Sequence, residues 1–377
     1  MTTAIELKAL IRKSLRDQGF HTRKGLITSP DPHDKDALRR LHTAAVEHKI
    51  NQAASGLRRF ESILLSRIAS GDELVPDRVF PKLVEVKPDS EDELLFRFVR
   101  LHWTIPVSAG YGRRLRFLVI DESNGKLIGV IGLGDPVFNL AVRDRWIGWS
   151  TESRRDRLRN VMDAFILGSV PPYSYLLGGK LVAMLSASDE IRRAFARKYA
   201  YRRSVIRRKL PDNRLALVTT MSALGRSSVY NRLRFGDRLL FQSLGYSQGS
   251  GEFHFSNGIY GPISEYVNRH CEPTAKKSRW GSGFRNRREI VRKCLLGLGM
   301  PVDLLYHGIQ REVFAIPLAL NTREFLRGEH ARLRWHKQST ADLFSWFRER
   351  WLLPRASWDQ RYRDFHPQQY RLWSDRA

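Results

Sequence analysis

Four acidic residues near the ends of predicted strands are the first candidates for catalysis. Asp121 and Glu122 follow an apolar run, and Asp135 and Asp144 lie shortly after the next one. Carboxylates at a sheet edge can hold a divalent ion such as Mg²⁺, which a nuclease or strand-transferase would use. Their order completes no nuclease motif, and Asp121 with Glu122 also fits a turn. The catalytic candidates are Asp121, Asp135 and Asp144, with no metal ligands assigned.

The same region also permits a structural interpretation. Asp135 and Asp144 lie among Arg143, Trp146 and Trp149, a combination that equally predicts a buried corner closed by ion pairs and packed with tryptophans. The letters GLGDP before this corner resemble a dinucleotide-binding loop. The proline and the residues after it do not supply the helix that must follow such glycines, so this interpretation is disfavoured.

The strongest signal for a ligand is the basic segment 276–293. It reads KKSRWGSGFRNRREIVRK, with eight basic residues against one acid and two aromatic residues between them. Cations for phosphates and rings for bases are the composition of a nucleic-acid contact segment. The residues predicted to contact nucleic acid here are Lys276, Lys277, Arg279, Trp280, Arg285, Arg287 and Arg288.

Two further stretches carry groups that bind phosphate. The letters SALGRSSVYNR combine hydroxyls, a glycine and arginines; a capped surface helix is the equally weighted alternative. Gly178, Gly179 and Lys180 lie where a loop is predicted to become a helix, whose free amides would bind an anion. Leu181 stands where a P-loop has Ser or Thr, which argues against nucleotide hydrolysis. The first stretch adds Arg226, Ser227, Ser228, Tyr230 and Arg232 as nucleic-acid contacts.

A histidine followed by tyrosines offers another chemistry on DNA. Glu252 to Phe255 predicts a short strand carrying His254, and Tyr260 and Tyr266 lie downstream. Nickases cut one strand with a tyrosine nucleophile beside a metal held by two histidines. One histidine cannot hold that metal alone, so this interpretation is disfavoured.

Composition favours a polyanion as partner. The 377 residues include 65 Lys+Arg and 39 Asp+Glu, a formal charge of +26 that a compact fold sustains only against self-repulsion. No window approaches the ~18 apolar residues of a membrane span, so nucleic acid is favoured over a membrane. Cys271 and Cys294 lack zinc spacing and predict two reduced thiols in a cytoplasmic protein.

The elements that must position these residues are centred on a β-hairpin. Two apolar runs, 117–121 and 126–131, flank Asn124-Gly125, the strongest local hairpin signal. Residues 151–168 have helical apolar spacing behind a Ser/Thr cap. The sequence therefore predicts an α+β fold with a central mixed sheet. The predicted domains are a helical N-terminal region (1–72), a central α+β domain (73–270) and a basic, helical, tryptophan-rich C-terminal extension (271–377).

The chain resembles the DruA family, the A component of the Druantia anti-phage defence systems of bacteria. The similarity lies in ordered blocks between residues 90 and 330, and LHTAAVEHKI near the N-terminus also fits. The blocks read RRLRFLVID, KLIGVIGLGDPVFNL, RDRWIGW, VMDAFILGSVPPYSYLLGGKLVA, LVTTMSALGRSSVYNRL, GYSQGSGEFHFS and HGIQREVFAIPLALN.

The resemblance implies a cytoplasmic antiviral defence protein that acts beside other Druantia proteins, among them a large helicase-like protein. It implies a central region loosely similar to the acyltransferase (GNAT) fold, with Gly178-Gly179-Lys180 near the pyrophosphate loop. The letters YSYLLGG lack that loop's Arg or Gln before alternating glycines, so acyl-CoA is not an expected cofactor. Mg²⁺ is expected only for a nuclease, and a homo-oligomer is left open.

The predicted functions have an order. A DNA-binding component of a defence system is first, a metal-dependent nuclease or strand-transferase acting on DNA is second, and a GNAT-like acyltransferase is third. The +26 charge and the basic segment carry the first prediction.

Overall fold

The computed structural model describes residues 3–23, 26–28, 31, 34–108, 110, 112–199, 212, 214–273, 280 and 284–373. Its α-helices are, in chain order, α1 (Ala4–Asp17), α2 (Lys35–Leu57), α3 (Glu61–Leu65), α4 (Glu91–Val99), α5 (Ala141–Ile147), α6 (Thr151–Arg157), α7 (Gly178–Leu185), α8 (Asp189–Tyr199), α9 (Tyr260–His270), α10 (Phe284–Gly297), α11 (Thr322–Arg327), α12 (Thr340–Phe347) and α13 (Leu353–Trp358). Its strands are β1 (Thr22–Arg23), β2 (Leu26–Ile27), β3 (Pro81–Glu85), β4 (Arg114–Asp121), β5 (Leu127–Gly134), β6 (Val161–Ser169), β7 (Leu217–Met221), β8 (Arg234–Phe235), β9 (Arg238–Leu239), β10 (Gln242–Tyr246) and β11 (Glu312–Pro317).

A mixed sheet forms the centre of the described chain. Its seven described strands lie in the order β10-β11-β7-β6-β5-β4-β3. Neighbouring strands are antiparallel except β6 and β7, which are parallel, and α7 and α8 lie in the connection between those two. The prediction of an α+β fold with a central mixed sheet is confirmed.

The predicted hairpin is confirmed as β4 and β5. Gly125 N donates to Asp121 O at 2.8 Å, and Lys126 N donates to the Asn124 side chain at 2.9 Å, which closes the turn. The pairing of β5 with the next strand shifts register between Gly132 and Leu133. A bulge of this kind is what glycines within a strand indicate.

The helix predicted over 151–168 is wrong in its second half. A capping box between Ser150 and Ser153 does start a helix, but α6 ends at Arg157 and β6 follows. Val161 to Ser169 hydrogen-bonds to β5 on one side and β7 on the other. Apolar side chains at these spacings fit either element, and the two partner strands decide for the sheet.

Helices cover both faces of the sheet. On one face, α7, α8 and α12 bury side chains such as Leu181, Phe195 and Phe347 against the strands. On the other face, α3 and α4 bury Leu65 and Phe98. This two-sided covering explains why β5 is buried over its whole length.

α2 provides the N-terminal side of the candidate site. Asp34 caps this 23-residue helix, and the buried face includes Leu38, Leu41, His42 and Ala45. An apolar cluster joins α1 and the first half of α2 to α9 and α10. Along the described ranges, no helix is both long and apolar enough to cross a membrane.

Candidate functional site

A glycine-rich loop and a short turn start the site. The strand predicted for 252–255 is wrong, because Phe253–Phe255 forms a 3₁₀ turn with buried side chains. Gly249 has φ +65°, and a Cβ there would lie 2.7 Å from the Gly308 backbone. Only glycine permits both the conformation and this close approach. The approach brings the turn against His307.

Three buried histidines from distant segments surround Phe253. His42 comes from α2, His254 from the turn, and His307 from the loop before β11. The Phe253 ring centroid lies 4.1 Å from that of His42 and 4.8 Å from that of His307. The His254 and His307 centroids are 5.7 Å apart. The fold thus gives His254 two histidine neighbours that no local pattern indicates.

Hydrogen bonds fix two of these rings. His254 Nε2 lies 2.7 Å from Leu304 O, and a carbonyl can only accept, so this nitrogen carries the proton. His307 Nδ1 accepts from Ile309 N at 3.1 Å. Neither ring nitrogen of His42 has a partner among the described residues. Burial lowers the pKa of His42 to about 3, of His254 to about 4 and of His307 to about 2, so all three are neutral at pH 7.

Glu252 supplies a buried carboxyl directly before the turn that carries His254. Its Oε1 lies 3.4 Å from Arg287 Nε, and its Oε2 has no hydrogen bond to a described residue. Burial raises the pKa of Glu252 to about 7, although Arg287, Arg288 and Lys49 all act to lower it. A carboxyl with such a pKa can accept or release a proton near neutral pH.

Lys49 and Arg311 are partly desolvated cations in the same region. Lys49 Nζ donates to Val107 O at 2.7 Å; burial, followed by repulsion from Arg100 and Arg287, lowers the pKa of Lys49 to about 8. Burial lowers the pKa of Arg311 to about 10. Among the described residues, Arg311 has no ion-pair partner and its Nε has no hydrogen-bond acceptor.

These groups form one site with an excess of positive charge. Arg287, Arg288 and Lys49 act on the Glu252 carboxylate, Arg311 acts on His42 and His307, and the histidines add no charge at pH 7. Such an arrangement can hold an anion beside a group that exchanges a proton near pH 7. The site, termed the His–Glu–Arg cluster, consists of His42, Lys49, Glu252, His254, Arg287, Arg288, His307 and Arg311.

The predicted basic segment reaches this cluster through α10. The guanidinium carbon of Arg287 lies 4.1 Å from the Tyr260 ring centroid, and that of Arg288 lies 5.5 Å from the Tyr306 centroid. Lys293 lies over Trp280 at 5.2 Å. Three predicted contacts and one side chain fall outside the described residues, namely Lys276, Lys277, Arg279 and the side chain of Arg285.

The predicted stretch 226–232 is a loop with a short 3₁₀ turn, so the alternative of a capped helix is wrong. Ser227 Oγ accepts from two backbone amides, and Ser227 N donates to Glu312. Tyr230 stacks on Phe241 at 4.7 Å. Burial raises the pKa of Tyr230 to about 12. Three residues of this stretch keep exposed side chains: Arg226, Ser228 and Arg232.

The predicted anion site at the start of α7 lies near that loop. Burial, then the charges of Arg232 and Arg350, lower the pKa of Lys180, whose ammonium lies 5.4 Å from the Trp351 ring centroid. Gly178 N already donates to Tyr173 O at 2.9 Å. Gly179 packs beside this amide, 3.8 Å from Ser169 at its Cβ position. The fold therefore brings two predicted phosphate-binding stretches, those of Lys180 and Arg232, to one basic region.

Asp121 lies at the opposite end of the β4–β5 hairpin from Asp135, about 20 Å away by strand geometry. It accepts hydrogen bonds from Phe80 N at 3.0 Å, Ser123 N at 3.0 Å and the Tyr173 hydroxyl at 2.8 Å. The three catalytic candidates are therefore not in one place.

Asp135 and Asp144 are held by arginines. Arg113 Nε donates to Asp135 at 2.6 Å. Asp144 pairs with Arg143 at 2.6 Å and with Arg154 at 3.1 Å. Among the described residues, no group of three or more His, Cys, Asp or Glu could hold a metal ion.

A family model described as Druantia protein DruA matches residues 32–328. The chain belongs to the DruA family. The Druantia protein DruA of Escherichia coli (strain UMEA 4076-1) is 40% identical over 375 residues, which cover 98% of this chain and 90% of that relative. The whole His–Glu–Arg cluster lies within the residues that match the DruA model.

No solved structure matches the chain. The expected similarity to the acyltransferase fold therefore stays a prediction, as does acyl-CoA binding.

The sequence reveals this DruA site only in part. Composition predicts Arg287 and Arg288, and the sequence offers His254 only as a lone histidine. Five members, His42, Lys49, Glu252, His307 and Arg311, were not predicted as site residues. The available signal is the pair of blocks GSGEFHFS and HGIQRE, where glycines stand beside histidine and charged residues.

Proposed function

We propose that this DruA-family protein is a nucleic-acid-binding component of a Druantia anti-phage defence system. It acts with other Druantia proteins and contacts nucleic acid with the face formed by α9, α10 and the His–Glu–Arg cluster. The proposed phosphate contacts are therefore the residues of the basic segment that lie in α10.

The observation that carries the proposal is the pairing of cations with tyrosines on that face. Arg287 and Arg288 lie over Tyr260 and Tyr306, and Tyr306 is 46% exposed. A guanidinium beside an exposed ring offers charge for a phosphate and a surface on which a base can stack. The cations of the cluster exceed the carboxylates four to one, which favours a polyanion.

Fluorescence anisotropy with labelled single- and double-stranded DNA over a KCl series tests the proposal. Affinity should fall steeply with salt, since each phosphate contact contributes about 0.9 to the slope of the log–log plot on duplex DNA. The double variant Arg287→Ala/Arg288→Ala should weaken binding about tenfold and reduce the slope by about 2.

The matched control is Arg193→Ala/Arg197→Ala on α8, which removes the same charge from exposed side chains away from the site. This control should change affinity less than about twofold, because its arginines make no phosphate contact in the proposal. Weak, salt-insensitive binding by the wild-type protein, or an equal loss in both double variants, would contradict the proposal.

A nuclease or strand-transferase is the second candidate, favoured by one observation. Glu252, with a pKa near 7, lies beside Arg287 and within the influence of Arg288 and Lys49, a combination that can move a proton next to a phosphate. Incubating plasmid DNA with Mg²⁺ or Mn²⁺ in the same binding buffer distinguishes the two. Cleavage that is lost in Asp135→Ala or Glu252→Gln would establish the enzyme; uncut plasmid leaves the binding proposal.

A further inference from the structure

The C-terminal helices place an arginine and a tryptophan beside the start of α7. A π-helical turn, Arg348–Leu352, joins α12 to α13. Pro354 has no backbone N–H, and in an α-helix its ring would clash with the carbonyl of Arg350, four residues earlier, so the helix widens at this point. Such turns are rare and are found frequently at functional sites. This one carries both Arg350 and Trp351.

Two cations from different elements share the Trp351 ring. The Lys180 ammonium of α7 and the Arg350 guanidinium carbon each lie 5.4 Å from its centroid. The same guanidinium lies 5.9 Å from the Trp346 centroid. Cations are attracted to the faces of an indole, which fixes both side chains next to one ring. Arg350 is exposed and Lys180 is half-buried, so a ligand can reach both. These four side chains are termed the Trp351 surface.

The cations of this surface lack acidic partners. Arg355 shows the fully paired arrangement nearby, since it lies 4.0 Å from the Trp358 ring centroid and also pairs with Asp359 at 2.6 Å. Within the chain that the structure describes, neither Lys180 nor Arg350 forms an ion pair. Their charges are therefore available to an external anion.

A third cation lies at the edge of the surface. The Phe235 ring meets Trp346 edge to face, with the two centroids 6.0 Å apart. Arg232 precedes Phe235 by three residues, so their Cα atoms are at most about 11 Å apart. Its side chain is exposed and has no ion pair to any described residue. Burial, then the charges of Arg232 and Arg350, lower the pKa of Lys180, and a bound anion would relieve that repulsion.

The chemistry of the surface selects a chain of phosphates. Three unpaired cations on separate elements fit an anion whose charges are spread along its length, and a guanidinium fork matches phosphate oxygens. Tryptophans beside them favour nucleic acid over an acidic peptide, because bases offer flat surfaces to a ring and carboxylate side chains do not. We propose that the Trp351 surface, with Arg232 beside it, is a second nucleic-acid contact site.

This site is separate from the face formed by α9 and α10. Tyr260 and Trp280 of that face pack on the apolar cluster that includes α1 and α2. Trp346 and Trp351 pack on the different cluster that covers the sheet with α7 and α12. One molecule can therefore hold two segments of nucleic acid at once. The inference rests on the proposed function for the class of ligand.

Titration with a labelled DNA hairpin tests the inference by stoichiometry. A stem of about 10 base pairs is about 34 Å long and is short enough to occupy one site. The wild-type protein should bind two hairpins. The variants Lys180→Gln/Arg350→Gln and Arg287→Ala/Arg288→Ala should each bind one. Combining all four substitutions should lower the affinity at least about tenfold below that of either double variant.

The matched control is Arg193→Gln/Arg197→Gln, which removes the same charge from exposed side chains of α8 and should still bind two hairpins. Glutamine retains part of the apolar stem of lysine and arginine, so packing on Trp351 is largely kept. If Lys180→Gln/Arg350→Gln does not fold, the single variant Arg350→Gln changes only an exposed side chain. It should weaken the second binding event at least about threefold, and an unchanged second event contradicts the inference.

The two proposals fail in different ways. A wild-type protein that binds one hairpin, or a Lys180→Gln/Arg350→Gln variant that still binds two, overturns the inference and leaves the α9–α10 face intact. Binding that is lost in Lys180→Gln/Arg350→Gln and unchanged in Arg287→Ala/Arg288→Ala overturns the α9–α10 face instead. Displacement of the second hairpin by polyglutamate as effectively as by unlabelled DNA of equal charge would assign the surface to an acidic protein segment and overturn its assignment to nucleic acid.

Discussion

Asp121 and Glu252 are both buried acids, and their surroundings give them different properties. Asp121 accepts hydrogen bonds from Phe80 N, Ser123 N and the Tyr173 hydroxyl. Glu252 keeps one oxygen without a donor among the described residues and has its pKa raised by burial to about 7. The hydrogen bonds to Asp121 therefore stabilise the fold, whereas burial of the ionised Glu252 carboxylate lowers stability at neutral pH.

The substitution Glu252→Gln is expected to stabilise the protein at pH 8 and to have little effect at pH 4. Burial raises the pKa of Glu252 from 4.5 to about 7, so the folded protein holds a proton that the unfolded chain has lost. That contribution is fully present below pH 4.5 and disappears as the pH rises through about 7. Glutamine cannot ionise, which should add at most about 3 kcal/mol to the free energy of unfolding at pH 8.

Urea unfolding at pH 4, 6 and 8 measures this difference. The control Glu122→Gln changes an acid that is 40% exposed and paired with Lys82. It should alter stability by less than about 1 kcal/mol at pH 8, as exposed ion pairs generally do. A loss of stability in Glu252→Gln that is equal at pH 4 and pH 8 would show that the ionised carboxylate is not under strain.

Local composition predicts Arg287 and Arg288, and it cannot predict their partners. His42, Phe253 and His307 meet only because α2, the turn and the loop before β11 pack together. A single histidine in the sequence gives no indication of a second one more than 200 residues away. The site was predictable where cations repeat within one segment and unpredictable where distant segments supply one residue each.

At the level of elements, the hairpin and the strand β6 show what local signals can decide. Asn124-Gly125 fixes β4 and β5 because the turn itself determines the pairing. β6 has no such turn, and its hydrogen bonds go to β5 and β7. A strand that is specified by distant partners carries apolar spacing that a helix can also adopt.

The start of α7 is an element where two adjacent glycines have different roles. A Cβ at Gly178 would lie 2.8 Å from Tyr173 O and 3.0 Å from the Ser169 side chain. A Cβ at Gly179 would meet only the Ser169 hydroxyl, at 3.8 Å. Close packing of α7 onto the end of β6 therefore requires the first glycine and not the second.

Gly178→Ala is expected to destabilise the protein by about 1–3 kcal/mol, because backbone atoms must move to admit the methyl group. Gly179→Ala should be neutral or stabilising by up to about 1 kcal/mol, since alanine favours a helix. Guanidinium unfolding of both variants measures the contrast. If the two variants have the same stability, the close approach at Gly178 does not constrain the fold.

At the scale of the whole molecule, residues far apart in the chain share one core. The apolar cluster beside the candidate site combines Leu7 of α1 and Leu38 of α2 with Ile263 of α9 and Val291 of α10. The predicted division into 1–72, 73–270 and 271–377 stays a prediction, and this cluster takes side chains from all three regions. The His–Glu–Arg cluster is built on the same junction.

Because the formal charge is +26, we expect the stability of the whole protein to depend on salt concentration. The melting temperature at pH 7.5 should rise between 50 and 500 mM KCl, because screening weakens the repulsion among cations over distances of about 10 Å. Exposed ion pairs weaken as well, and their median contribution of about 0–1 kcal/mol is too small to reverse the trend.

The variant Arg12→Glu/Lys13→Glu reverses two exposed charges on α1 and lowers the formal charge by 4, from +26 to +22. It should melt higher than wild type at low salt, and the gap should narrow at high salt. A melting temperature that falls with salt, or a constant gap between the two proteins, would mean that local contacts outweigh the overall charge.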